Sequence, residues 1–85
     1  MKEKLVDAVG KKLDNLEVFI DSVNLVNQEN EKVLEVVLDS KNMIDLKTVV
    51  KATRIINPIV DKIGLSDDID TLDVYAKEKG DVVSE

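Results

Sequence analysis

The chain is expected to adopt an α+β fold. It should be a two-layer sandwich of order α-β-β-α-β, with two helices on one face of a three-stranded sheet. Two patterns predict this. Apolar residues recur at helical spacing in two stretches, one near the start and one after Met43. Three shorter runs rich in Val, Ile and Leu are bounded by polar turn residues, as strands are. Their order then supplies the layers. The second helical stretch separates the second and third strands, so a right-handed crossover joins those strands if they lie parallel in one sheet. Helices covering one face of the sheet complete the sandwich.

Residues 3–14 form the first expected helix. Leu5, Val9, Leu13 and Leu16 recur along it, with Lys4, Asp7, Lys11, Lys12 and Asp14 on the other side. Gly10 costs about 1 kcal/mol there relative to Ala, and Asn15 is a natural end. Residues 17–28 read as a strand. Val18 and Ile20 share one parity, whereas Phe19, Val23 and Leu25 share the other. A β-bulge at Asp21-Ser22 would switch the apolar face in this way, and helix continuing through Ile20 is the competing reading. Gln28-Glu29-Asn30-Glu31 is a polar turn that closes a hairpin. The second strand spans residues 32–39, with Leu34, Val36 and Leu38 on one face and Val33, Glu35, Val37 and Asp39 on the other.

After the polar link Ser40–Met43, Asp45 is placed to cap the second helix. Its carboxylate accepts from free N–H groups and favours the positive helix end. Leu46, Val49, Val50, Thr53, Ile56, Val60 and Ile63 follow helical spacing. Pro58 interrupts the pattern, which predicts a kink at Asn57-Pro58 or two abutting helices. Gly64 suits the helix end. The third strand spans Thr71 to Lys77, with Leu72, Val74 and Ala76 inward. Residues 1–80 make one domain, and residues 81–85 are expected to be a flexible tail.

Composition narrows the function. There is no cysteine, hence no disulfide or thiolate site, and no histidine, the commonest general base and metal ligand. Apolar runs are far shorter than the ~20 residues of a membrane span, and the first residues lack the apolar block of a signal peptide. A cytoplasmic protein with no membrane association is the expectation. The net charge of −6 disfavours a nucleic-acid backbone and favours basic partners. Phe19 and Tyr75 are the only aromatic residues, too few for base-stacking platforms.

Between Val33 and Gly80 four short motifs follow in order: a strand ending in Asp39, a helix opening with Ile44-Asp45-Leu46, the run Ala52-Thr53-Arg54, and the strand Thr71-Leu72-Asp73-Val74. In this order the stretch resembles the N-terminal domain of the RimP family of ribosome maturation factors. Ala52-Thr53-Arg54 stands where the family often has a valine, serine, arginine run, and Thr71-Leu72-Asp73-Val74 is similar to its threonine or tyrosine, leucine, glutamate, valine strand. Of the family's Ser-Ser-Pro-Gly turn only Gly80 remains. The resemblance implies a non-enzymatic factor in maturation of the small ribosomal subunit, acting on the free subunit or on a basic ribosomal protein. It also implies a second, barrel-like C-terminal domain of the SH3/Sm type, which this sequence lacks. The chain is then a truncated or reduced member, or a relative with another role.

Candidate binding residues fall into two groups. Lys47, Lys51 and Arg54 form a basic stripe on the second helix, suited to rRNA phosphates, which Asn57 would extend. A solvated helix face is the plainer account of such a stripe. Val33, Val37 and Tyr75 share the sheet face away from the helices, where a missing second domain, a partner or a second copy would dock. The alternative function is accordingly an α+β interaction or dimerisation module unrelated to the ribosome, with weak self-association through the open sheet. Asp67, Asp68, Asp70 and Asp73 lack the spacing of a calcium loop, and no metal, cofactor or catalytic set is expected.

Overall fold

The computed structural model of the protein describes residues 2–77. The expected tail at residues 81–85 lies outside them. Two helices and a three-stranded mixed sheet make up the fold, with elements α1 (Lys2–Val9), β1 (Phe19–Gln28), β2 (Glu31–Asp39), α2 (Leu46–Lys62) and β3 (Thr71–Ala76). Short 3-10 turns at Asp14–Leu16 and Leu65–Asp68 link α1 to β1 and α2 to β3. The strand order is β1-β2-β3. β1 and β2 are antiparallel, whereas β2 and β3 are parallel, with α2 as the crossover.

The first helix is shorter than the apolar spacing suggested. It stops at Val9 because Gly10 turns into the left-handed region at φ 57°, with its N–H still donating to the Val6 carbonyl at 2.9 Å. Tight turns follow, closed by bonds such as Lys12 N–H to Val9 O at 3.1 Å and Asp14 N–H to Lys11 O at 3.0 Å. Leu13 is nevertheless buried. The first strand starts at Phe19, after Glu17 at φ 59°, and not at residue 17. Continued helix through Ile20 is therefore excluded.

The parity switch in β1 is a bulge. Ile20 pairs with Leu38 and Ser22 with Val37, so Asp21 is the extra residue. Ile20, Val23 and Leu25 consequently share the face of Leu34, Val36 and Leu38, while Phe19 is left on the other. The hairpin closes through Glu29 (φ 48°) and Asn30 (φ 70°), the two positive φ angles that a type I′ turn demands.

One core lies between the sheet and both helices. It holds Leu5 and Val9 of α1, Ala52, Ile56, Ile59 and Val60 of α2, and Ile20, Leu34, Val36 and Leu38 of the sheet. Leu72 and Val74 of β3 pack against it while half-buried. α2 begins where Asp45 accepts a 2.8 Å bond from the Thr48 N–H. It then runs unbroken through Pro58 to Lys62, so the two-helix alternative is not realised. Pro58 is exposed at this site. Past the helix end, Gly64 takes φ 84°, as the residue after a helix often does.

Candidate docking surfaces

The basic stripe is real and is accompanied by an apolar ridge. Lys47, Lys51 and Arg54 are exposed, and with Leu46 and Val50 they line one shallow depression on the outer side of α2. Leu46 is 76% exposed and Val50 41%. Both follow the helical spacing read from the sequence, yet neither shares the buried face of Ile56 and Val60. The cause is angular. At 3.6 residues per turn, the six positions from Val50 to Ile56 place the two side chains about 120° apart on the helix. Ile56 is fully buried, so Val50 points well away from the sheet. Met43, just upstream of the helix, is 79% exposed.

Among the described residues, none of the three cations is held in an ion pair. Lys47 and Lys51 do act on the helix cap. The Asp45 carboxyl sits below its ordinary pKa, first because Thr48 hydrogen-bonds it and then because these two lysines attract its charge. Asn57 is exposed on the same helix.

The helix-free face of the sheet has a different character. In register, Ser22, Val37 and Tyr75 form one row across the three strands, and Asn24, Glu35 and Asp73 the next. Val33 and Val37 lie on this face as expected, yet only 6% and 8% of their surfaces are exposed. They belong to the central strand, flanked on both sides by neighbouring strands, and so offer a partner little area. Tyr75 offers more, at 39% exposure. Its hydroxyl lies 3.5 Å from Glu35 Oε1. Partial desolvation, then the negative charges of Glu35 and Asp73, raise its pKa above the ordinary phenol value. Lys77 Nζ reaches Asp21 at 3.5 Å, tying the bulge to the end of β3.

The acidic segment before β3 has a structural role. Asp70 Oδ2 accepts from the Lys32 N–H at 2.8 Å, and the Asp70 N–H donates to the Lys32 carbonyl at 2.8 Å. This pair of bonds sets the start of β3 beside β2. Among the described residues, no three side chains converge as a metal-ligand set, and no helix is long and apolar enough to cross a membrane.

The arrangement therefore presents two candidate surfaces on opposite sides of the sheet: an acidic face with one exposed phenol, and a helix face where cations border apolar side chains. No protein-family model matches this sequence, and no curated protein sequence matches it either.

Proposed function

We propose that the chain is a non-enzymatic assembly factor of the RimP type, which binds the free small ribosomal subunit in the cytoplasm through a basic ribosomal protein. The resemblance in element order and motif spacing supplies the ribosomal part of this reading. The lack of any histidine or cysteine favours binding over catalysis.

The observation that carries the choice of partner is the acidic row Glu35–Asp73 beside the exposed Tyr75. Two carboxylates in register on adjacent strands repel each other, and a cationic side chain placed between them relieves that repulsion. Tyr75 adds an amphipathic anchor of the kind enriched at interfaces.

Co-sedimentation with free small subunits across a salt series tests the proposal. Binding should weaken as salt rises, because exposed charges are screened over about 8 Å at physiological ionic strength. Glu35→Gln combined with Asp73→Asn should release the protein. Reversal of Lys47, Lys51 and Arg54 to Glu should leave binding intact. Failure of the folded protein to co-sediment at low salt would overturn the reading. Collapse of binding in the α2 triple reversal would instead assign the contact to rRNA phosphates, with the salt slope falling by about one for each lost contact.

A further inference from the structure

We propose that the outer face of α2 is a second docking site, specific for an acidic amphipathic helix of a partner protein. It is separate from the ribosomal reading, since it uses the opposite side of the molecule.

Leu46 and Val50 stand one turn apart, four residues from each other. Residues so spaced are neighbours on a helix surface, with Cβ atoms about 5–6 Å apart. Together they form an apolar ridge that the rest of the fold does not cover, although α2 buries Ala52, Ile56, Ile59 and Val60 elsewhere. Met43 is exposed as well, but it lines a separate depression with Ser40, Asp45 and Thr48 and is not part of the ridge. Lys47, Lys51 and Arg54 border the same depression and are in no ion pair among the described residues.

A helix docking in such a place presents apolar residues at three- and four-residue spacings to the ridge and flanking carboxylates to the cations. Charge complementarity selects the acidic partner. An amphipathic helix of basic type would meet three like charges, and like-charge juxtaposition is strongly disfavoured. RNA is the weaker candidate. Its backbone would engage the three cations but leave Leu46 and Val50 with nothing to bury against, and the chain's net charge of −6 opposes its approach. A second copy is weaker too. The acidic sheet face of one molecule on the basic helix face of the next is a head-to-tail contact, which generates open chains unless the rotation happens to close.

Fluorescence anisotropy on the full chain tests this. The probe is a labelled synthetic helix carrying Leu at positions i and i+4 flanked by Glu. Comparison ligands are the same peptide with Ser for Leu, its Lys-for-Glu counterpart and a single-stranded RNA oligonucleotide. The acidic Leu peptide should bind, with affinity falling as salt rises. The Ser peptide should bind about tenfold more weakly, because the ridge is then left exposed. Leu46→Ser and Val50→Ser should each give a loss of similar size, and the Lys47, Lys51 and Arg54 reversal should abolish binding. All of these positions are exposed, and circular dichroism checks that the variants remain folded.

Equal affinity for the Leu and Ser peptides would overturn the proposal, as would no binding. Tighter binding of the RNA would assign the face to nucleic acid. Concentration-dependent sedimentation lost in the triple reversal would assign it to a second copy. No ribosome is present in the assay, so failure here leaves the small-subunit reading standing, and failure to co-sediment leaves this one standing.

Discussion

Replacing Ile56 with alanine probes the packing of α2 against the sheet. Ile56 is fully buried among Leu34, Val36, Leu38 and Val60. The substitution deletes three carbons, and at about 0.8 kcal/mol per buried methylene the transfer loss is about 2.4 kcal/mol. Both sides of the site are held, by the sheet and by the rest of the helix, so collapse is incomplete and a cavity cost adds to this. A total of about 3–4 kcal/mol is expected, inside the range of about 2–5 kcal/mol for such changes. A domain of 85 residues has a stability of about 4–13 kcal/mol. The variant therefore loses a large share of its margin. Leu46→Ala is the matched control on the same helix. It removes a similar apolar volume, but from a side chain that is 76% exposed, and should stay within about 0.5 kcal/mol of the parent. Urea unfolding followed by circular dichroism reads both. The midpoint should fall sharply for Ile56→Ala at nearly constant slope. Equal costs for the two variants, or a cost below about 0.5 kcal/mol for Ile56→Ala, would refute the helix orientation and with it the exposed ridge.

Other substitutions test local features. Glu29→Asn should stabilise the hairpin by about 0.5–1 kcal/mol in the same assay, because residue 29 has φ 48° and asparagine tolerates the left-handed region better than glutamate. Asp45→Ala should lower the melting temperature at neutral pH by removing the bond from Thr48. Its folded-state pKa is depressed, so the stability it contributes is present above the ordinary value of 3.8 and is lost as pH falls through the folded-state value. The difference in melting temperature between parent and variant should therefore be largest near neutrality and shrink as the pH is lowered below 3.8; a difference that stays constant into strong acid would refute this account of the cap. Asn57→Ala should be silent within about 0.5 kcal/mol, since α2 passes through residues 57 and 58 without a new cap; a loss near 1 kcal/mol would show that Asn57 caps a separate helix.

Much of the fold is legible in the sequence because its signals are local or strictly periodic. The bulge at Asp21 shows in the change of parity between Ile20 and Val23, since a sheet with one buried face has no other way to keep both inside. Asp45 announces a cap, and Gly64 an end. The end of α1 is harder to read. Leu5, Val9 and Leu13 keep a four-residue spacing and are all buried, although a turn separates the last from the helix. Burial alone thus mimics a longer helix. The signal that breaks the tie is Gly10, whose left-handed φ stops the helix where another residue would be strained.

The same ambiguity of apolar spacing hides the second surface. Leu46 and Val50 are one turn apart, and Ile56 and Val60 are one turn apart, so each pair satisfies a helical pattern by itself. Joining the two pairs into one stripe ignores the angle between them. A projection at 100° per residue separates Val50 from Ile56 by about 120°, which is wider than a single buried stripe of about 100° readily spans. The buried set Ala52, Ile56, Ile59 and Val60 is compact on that projection, and Lys47, Lys51 and Arg54 lie opposite it. The sheet face errs in the other direction. Val33 and Val37 have the right parity to be open, but parity says only which side a residue faces. Their position on the central strand decides how much of that side they expose, and that depends on β3 pairing alongside β2, nearly forty residues away along the chain. The exposed candidate surfaces therefore lie at the rim of the domain, at Tyr75 on an edge strand and on the outer side of α2, where substitutions should leave stability almost untouched in urea unfolding.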